Sequence, residues 1–518
     1  MKERLMILGA GVMQGPAIRI AGELGLESVV VDGDRDASCA SGADIFEHID
    51  LKDKERIAEL AIRLKSENGG KGLSGVMTAG TDFSATVAWV AERAALPGIP
   101  YEAALNASDK GRMRSCFRKA GVPSPEFFVV ERVNYSGRPP EPPFSYPVVV
   151  KPVDNMGGRG CKRADNGEEL AAALDEAIGF SRSGRVIVEE YMDGPEYSVD
   201  AIVYGGAITV CGLADRHIRF PPYFIEMGHT MPALLDGGTA AALLETFKAG
   251  VRSLGLTLGA AKGDIKLTGK GPMVGEIAAR LSGGYMSGWT YPYSSGAEPV
   301  KTAILAALGR LDGKNPRGLE RTRDWVSAER AFISIPGIVS MIKSMNSAEK
   351  NRYVKNIFFR VKEQERVIFP ENNVSKCGNV ISAAPGRALA VEASEEAVRG
   401  ILVRLDPRDA ATDEFLAGKP GSGPDAFSVS ADVRKALLAL PSGRAGKTEE
   451  AIVPFPALLD SGAQDYVGRG ITDSLDAVRA LTGLPLPFAR DGTLGREFWA
   501  ALIRGGYQGG AYIVDSLK

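Results

Sequence analysis

The sequence predicts a multidomain α/β chain: a Rossmann-like first unit, a two-lobed middle and an extra C-terminal domain. Three observations carry that expectation. The chain has 518 residues, and at roughly 150 residues per domain it divides into three or four units. Its start reads strand, glycine turn, helix, strand. Its middle reads as strand pairs joined by glycine-rich or acidic connectors. Hydrophobic residues at 44% and charged residues at 24% place it among ordinary globular proteins.

The first unit opens on Leu5-Met-Ile-Leu8, followed by Gly9-Ala-Gly11-Val-Met-Gln-Gly15. A helical pattern through Ile18, Ile20 and Leu24 leads into Ser28-Val-Val-Val-Asp32. A strand, a glycine turn, a helix and a second strand ending in an acid match a βαβ fingerprint for dinucleotides. The third glycine is one position off, so glycines that only let helix and strand approach explain the pattern equally well. Nothing downstream supplies hydride chemistry, which argues against a nicotinamide oxidoreductase. Gly75-Val-Met-Thr-Ala-Gly80-Thr-Asp82 reads as a later strand and loop, and Phe83–Leu96 as a helix that Leu96-Pro-Gly-Ile-Pro100 breaks.

At Ser108-Asp-Lys110 a capped helix begins, running to Gly121-Val-Pro-Ser-Pro125. Tyr146-Pro-Val-Val-Val-Lys151 then puts a lysine at the end of a buried strand, ahead of a loop containing Gly157, Gly158 and Gly160. A lysine there meets phosphate oxygens as a point charge, and the glycines let backbone N–H groups come close. Val186-Ile-Val-Glu189-Glu190-Tyr191-Met192-Asp-Gly-Pro-Glu196-Tyr-Ser-Val-Asp200 reads as strand, connector, strand. Such a connector suits a base edge and ribose hydroxyls, although an exposed acidic turn would look similar.

Asp264 and Glu276 say the most. The segments around them alternate like two strands, and Thr268-Gly-Lys-Gly-Pro272 supplies turn residues for a hairpin. Two hard oxygen ligands on one face, with Lys262 and Arg280 near them, suit Mg²⁺ shared with a polyphosphate. Acids on the outer face of a solvated hairpin give the same local pattern.

Taken in order, these segments resemble the ATP-grasp superfamily from about residue 1 to about residue 410. The resemblance implies a pre-ATP-grasp Rossmann-like domain over 1–107 and an ATP-grasp domain over 108–320, its small lobe at about 125–192. It also implies a closing αβ subdomain over 321–410, leaving 411–518 as a C-terminal extension of unknown role. It makes Lys110 and Lys151 phosphate ligands, Gly157, Gly158 and Gly160 the phosphate loop, Glu189, Glu190 and Met192 the adenine contacts and Glu196 the ribose contact. Asp264 and Glu276 become the metal ligands, and Arg280, with Lys262 and His229, the catalytic set. The implied cofactors are ATP and Mg²⁺, with Mn²⁺ as a substitute, and the implied activity joins a small-molecule carboxylate to an amine. A biotin- or purine-type carboxylase and a non-catalytic nucleotide-binding protein stay open as alternatives. Two positions depart from the family pattern: Ala278 stands where an asparagine usually supplies a third metal ligand, and Asp264 is often glutamate.

His217 and His229, in the segments Ala214–Arg219 and Phe224–His229, are candidates for an anionic substrate or a proton transfer. Leu281-Ser-Gly-Gly-Tyr285-Met-Ser-Gly-Trp289 reads as a pocket wall or a plain loop. The helix after Lys376–Arg387 is expected to turn Ala388, Val391, Ala397, Val398 and Ile401 to one face. Asp406–Gly423 reads as a linker, and the pieces at Phe455, Ser474 and Phe498 as packing helices or an oligomer surface.

The remaining expectations come from composition. A net charge of −2 gives no reason to expect nucleic acid or an anionic membrane as a partner. Five dispersed cysteines without a CxxC pair, and three scattered histidines, argue for a reducing compartment and against zinc. The apolar stretch of Met1–Gly11 is too short for a signal peptide or a spanning helix. A cytoplasmic protein is expected from this; a homodimer is a separate expectation.

Overall fold

The computed structural model describes residues 2–70, 72–311, 317–344, 350–418, 423–440, 462–483 and 495–516. They form two compact units, Met1–Ala328 with Ala383–Arg387, and Glu329–Ser382 with Ala388–Lys518. The segment around Phe455 lies outside the described residues. No described helix is long and apolar enough to cross a membrane.

Three sheets build the first unit. The parallel sheet has the strand order Ile45–His48, Glu27–Asp32, Arg4–Leu8, Leu73–Met77. The inner runs of its middle strands, Leu5–Leu8 and Val29–Val31, are apolar and buried because helices cover both faces. Asp32 ends its strand by accepting the Ala10 N–H at 2.7 Å, which ties the glycine turn down. The small lobe is an antiparallel sheet ordered Phe127–Glu131, Arg185–Glu190, Val148–Pro152, Lys162–Ala164. The third sheet runs Gly271–Ala278, Leu258–Thr268, Glu196–Tyr204, Ala207–Arg219, Ile225–Met231, each neighbour antiparallel.

One face of that third sheet packs on the helix Gly237–Ser253, where Phe247, Val251, Ile265, Val274 and Ile277 close a core. Gly263 belongs to this packing: a Cβ there would sit 2.5 Å from a Phe247 ring carbon. The other face carries the polar residues of the site. Apolar-in, polar-out alternation along each strand divides the two faces.

In the second unit, Gly337–Ser344 pairs antiparallel with Arg366–Val367 and with Ile401–Leu405. The helix Arg387–Gly400 buries Ala390, Ala393, Ser394, Ala397 and Val398. Ala397 and Val398 are buried, Val391 is half-buried and Ile401 is buried but begins a strand, so of the sequence-based face only Ala388, which is exposed, fails outright. The expected linker holds a helix, Ala410–Leu416, with Thr412 and Phe415 buried. Ile471–Thr482 and Arg496–Ser516 join Leu402, Phe427 and Val433 in one core. The Arg469 guanidinium meets the carbonyls of Val398, Arg399 and Ile401, capping the end of the 387–400 helix.

Phe247→Ala should lower the unfolding free energy of the first unit by about 3–5 kcal/mol. Urea denaturation followed by tyrosine and tryptophan fluorescence checks it.

Candidate active site

Register assembles the polar face of the third sheet. Glu196, Ser198 and Asp200 alternate along one strand, and across from them stand Lys266, Asp264 and Lys262. Asp264 is also opposite Glu276 on its other neighbour, and Arg216 is opposite Glu196. Directly opposed residues of an antiparallel pair share a face, so eight polar side chains from four strands converge. A fifth strand adds His229, opposite Arg216. A bulge there skips Met227, pairing His217 with Gly228 and Ile218 with Glu226. It turns Glu226 onto the same side as His229, and their side chains lie 3.6 Å apart.

Arg216 is the centre of this face. Its guanidinium contacts Glu196, lies 2.9 Å from Glu226 through Nε, and 3.3 Å from Asp264 through Nη1. Asp264 also accepts the Ser198 hydroxyl at 2.8 Å and an ion pair from Lys262. Burial alone would raise the Asp264 carboxyl, but Arg216 and Lys262 outweigh it and hold it below the usual range. Glu276 lies 3.2 Å from the Lys110 ammonium. Burial opposes ionisation there too, yet Lys110, Lys262 and Lys151 bring its carboxyl to about 2.

Both acids are therefore ionised at neutral pH. Among the described residues no cluster of three or more His, Cys, Asp or Glu side chains stands ready for a metal. Ala278, opposite Lys262, adds no oxygen. A pair of carboxylates fits an ion that keeps most of its waters and shares substrate phosphates, as Mg²⁺ does. It does not fit a closed zinc site.

The small lobe supplies the next set. Lys151 ends its strand with Nζ 2.7 Å from Glu189, whose other oxygen takes Arg114 Nε at 2.8 Å. Arg114 also reaches the Gly275 carbonyl at 2.5 Å. Glu189 is fully buried between these two cations, and their attraction overcomes the cost of burial to hold it ionised. Its carboxylate thus serves Lys151 and Arg114. Asp109 caps the Lys110–Ala120 helix by accepting Arg112 N–H at 2.9 Å, and it pairs with Arg185 at 2.6 Å. Lys110 Nζ donates to the Asn155 carbonyl at 2.8 Å, joining the helix start to the glycine loop. Gly157, Gly158 and Gly160 hold φ of 70°, 77° and 65°, a region where glycine is favoured.

Glu190 pairs with Lys270 at 2.8 Å, and the Met192 carbonyl takes the Lys266 ammonium at 3.0 Å. A cavity of about 230 Å³ opens beside them, lined among others by Arg163, Tyr191, Glu196, Arg216, Tyr223 and Lys266.

At the far end, Arg280 donates through Nη1 to the Leu281 carbonyl at 3.0 Å, while its buried Nε has no acceptor among the described residues. The Gly80 N–H donates to the same carbonyl at 3.2 Å, so the first unit's parallel sheet delivers the Asp82 loop to this end. Burial raises the Asp82 carboxyl, and Lys110 and Arg280 work against that shift. His217 bonds Thr230 at 2.9 Å, facing away from Arg216. Sequence reasoning missed Arg114, Arg216, Ser198, Asp200 and Asp82. Alternation from Glu196 pointed to Ser198 and Asp200; the others depend on contacts between segments distant in sequence.

Residues 144–288 match an ATP-grasp domain, and residues 331–406 match the L-amino acid ligase C-terminal domain 2. An uncharacterized protein of Sinorhizobium fredii is 24% identical over 343 residues, 65% of this chain and 69% of that one. Carnosine synthase 1 of Gallus gallus is 26% identical over 60% of this chain, which spans about a third of that longer protein (35%). The crystal structure of an L-amino acid ligase from Bacillus licheniformis superposes with a TM-score of 0.68 at 20% identity, covering 78% of this chain and all of that one. The chain thus carries an ATP-grasp domain over the small lobe and the hairpin, followed by a domain of the L-amino acid ligase C-terminal kind.

Proposed function

We propose that the chain uses ATP and Mg²⁺ to join the carboxylate of one amino acid or small metabolite to the amine of another. The observation that carries this is the ionised Asp264–Glu276 pair on adjacent strands, ringed by Lys110, Lys262 and Arg216. In the first step a carboxylate oxygen bonds to the γ-phosphorus and the bond to the β-phosphate bridge breaks, releasing ADP. In the second the amine nitrogen bonds to the acyl carbon, loses a proton and expels phosphate. A carboxylate is a poor electrophile, and phosphorylation supplies its leaving group.

Catalysis of this kind is positioning and charge neutralisation. Mg²⁺ held by Asp264, Glu276 and the phosphates would draw charge from the transferring phosphoryl group. Lys110 and Lys151 bind phosphate oxygens, and Glu189 with Arg114 fixes the direction of Lys151. Backbone N–H groups at Gly157, Gly158 and Gly160 close over the phosphates. The chain at Glu190 and Met192 meets the base edge, and Glu196 meets the ribose. Arg280, with an open donor on Nε, and Lys262 stabilise the acyl phosphate. Glu226 and His229 face the incoming amine. The ligase-type domain over 331–406 favours an amine acceptor over bicarbonate chemistry.

Purified protein with ATP, Mg²⁺ and pairs of amino acids should release ADP and phosphate in step with amide formation. ADP release that needs bicarbonate and biotin would overturn the amine assignment, and nucleotide binding with no turnover would overturn catalysis. Lys151→Ala and Glu276→Ala should each lower kcat/KM by about 10²–10³ with the circular dichroism spectrum intact. Full activity in either variant refutes the site. Glu189→Gln leaves two buried cations without their counter-ion and should cost about 3–5 kcal/mol of stability, read as a lower thermal midpoint that bound ATP partly restores.

A further inference from the structure

The strand Glu196–Tyr204 turns a third polar side chain to the site face. Asp200 is completely buried. Its Oδ1 accepts the Ser282 N–H at 2.9 Å and its Oδ2 accepts the Ser282 hydroxyl. Its own N–H donates to the Tyr291 hydroxyl at 3.1 Å, which donates in turn to the Gly212 carbonyl at 3.2 Å. Ser282 stands two residues beyond Arg280, and the Ser287 hydroxyl folds back onto its carbonyl at 2.9 Å.

Asp200 thereby anchors the start of a loop clamped on two further sides. A Cβ on Gly283 would sit 3.5 Å from Gly80, and one on Gly284 would sit 2.8 Å from Glu226 Oε1 and 3.1 Å from His229 Cε1. Gly284 has φ +60°, so there the chain passes Glu226 and His229 with no room for a side chain. The loop forms the wall opposite Glu226 and His229.

A buried carboxylate with no hydrogen-bonded cation among the described residues is costly. Burial pushes Asp200 up to about 6, eased by its bonds to Ser282 and by Lys262 and Arg280 at longer range. An amide changes this pairing: asparagine would accept from the Ser282 N–H but donate to its hydroxyl, which must then turn round to accept, and the charge on the acceptor is lost. The acid fits one task, holding both donors of a single residue.

We propose that Asp200 is a positioning residue for acyl transfer, which, through Ser282, sets the Gly283–Gly284 turn against Glu226 and His229 and so fixes the amine end of the site. The proposal rests on the ligase function above. Amide formation by the unaltered protein is therefore measured first; its absence would count against that function and not against Asp200. In Asp200→Asn the KM for the amine should rise about tenfold or more, the worth of one charge-assisted hydrogen bond. The KM for ATP should stay within about twofold, and more ADP should form without amide. Ser282→Ala, which keeps the backbone donor, should show a smaller shift of the same kind and carries the test should Asp200→Asn fail to fold.

The pH profile is a second readout. Amine kcat/KM of the unaltered protein should fall as pH drops through about 6, and Asp200→Asn should lack that limb. Around Asp200 stand Lys262, Arg280, Cys211 and Tyr291. The thiol and the phenol are pushed up by burial, so both stay neutral near pH 6. Equal losses in the ATP and amine parameters, or unchanged kinetics in both variants, would overturn the proposal.

Discussion

Asp264 stands opposite Ser198 on one side and Glu276 on the other, and the site exists because both registers hold at once. A strand that slipped by one residue would turn its whole polar set into the core. Apolar packing resists that slip: Ile265, Val274 and Ile277 belong to the core under the sheet, with Phe247 filling the space that Gly263 leaves. The hydrophobic face thus sets the chemistry of the polar one. A loss of packing at Phe247 and a loss of charge at Asp264 act on the same alignment from opposite sides.

Bringing so many charges together has a cost that pairing offsets. Glu189 would be expensive alone, yet Arg114 and Lys151 satisfy both its oxygens. Arg216 does the same for Glu196, Glu226 and Asp264. These pairs also keep the cations in place before any polyanion arrives. In the proposed reaction a triphosphate would exchange partners with Lys110 and Lys151, phosphate oxygens replacing carboxylates around preformed charges. Such preorganisation limits reorganisation during phosphoryl transfer.

The sequence made some of this legible and hid the rest for physical reasons. Local signals survived: the turn residues after Thr268, the cap at Asp109, the lysine closing a buried strand, the left-handed glycines. The linker expectation failed because Asp406–Gly423 is polar and glycine-rich in composition while its middle caps on Asp409 and buries Phe415. The helix face missed at Ala388, an alanine small enough to sit on either side. Arg216 escaped because nothing in Ala-Asp-Arg-His marks a guanidinium that three distant carboxylates will surround. Glu226 and His229 are three apart, which on a regular strand would put them on opposite faces. Only the bulge at Met227 unites them, and a bulge leaves no mark in composition.

The strand Glu196–Tyr204 divides the chemistry along its length. With about 3.3 Å per residue, Glu196, Ser198 and Asp200 are spaced some 6–7 Å apart on one face. Glu196 holds Arg216 near the cavity, Ser198 orients Asp264, and Asp200 ties the loop that follows Arg280. The proposed nucleotide, metal and amine ends would then be aligned by a single element whose hydrogen bonds run to both neighbours. Precision of this kind is hard to obtain from loops alone. It lets the glycine turn at 283–284 supply close backbone approach while Asp200 on this strand holds Ser282 in place.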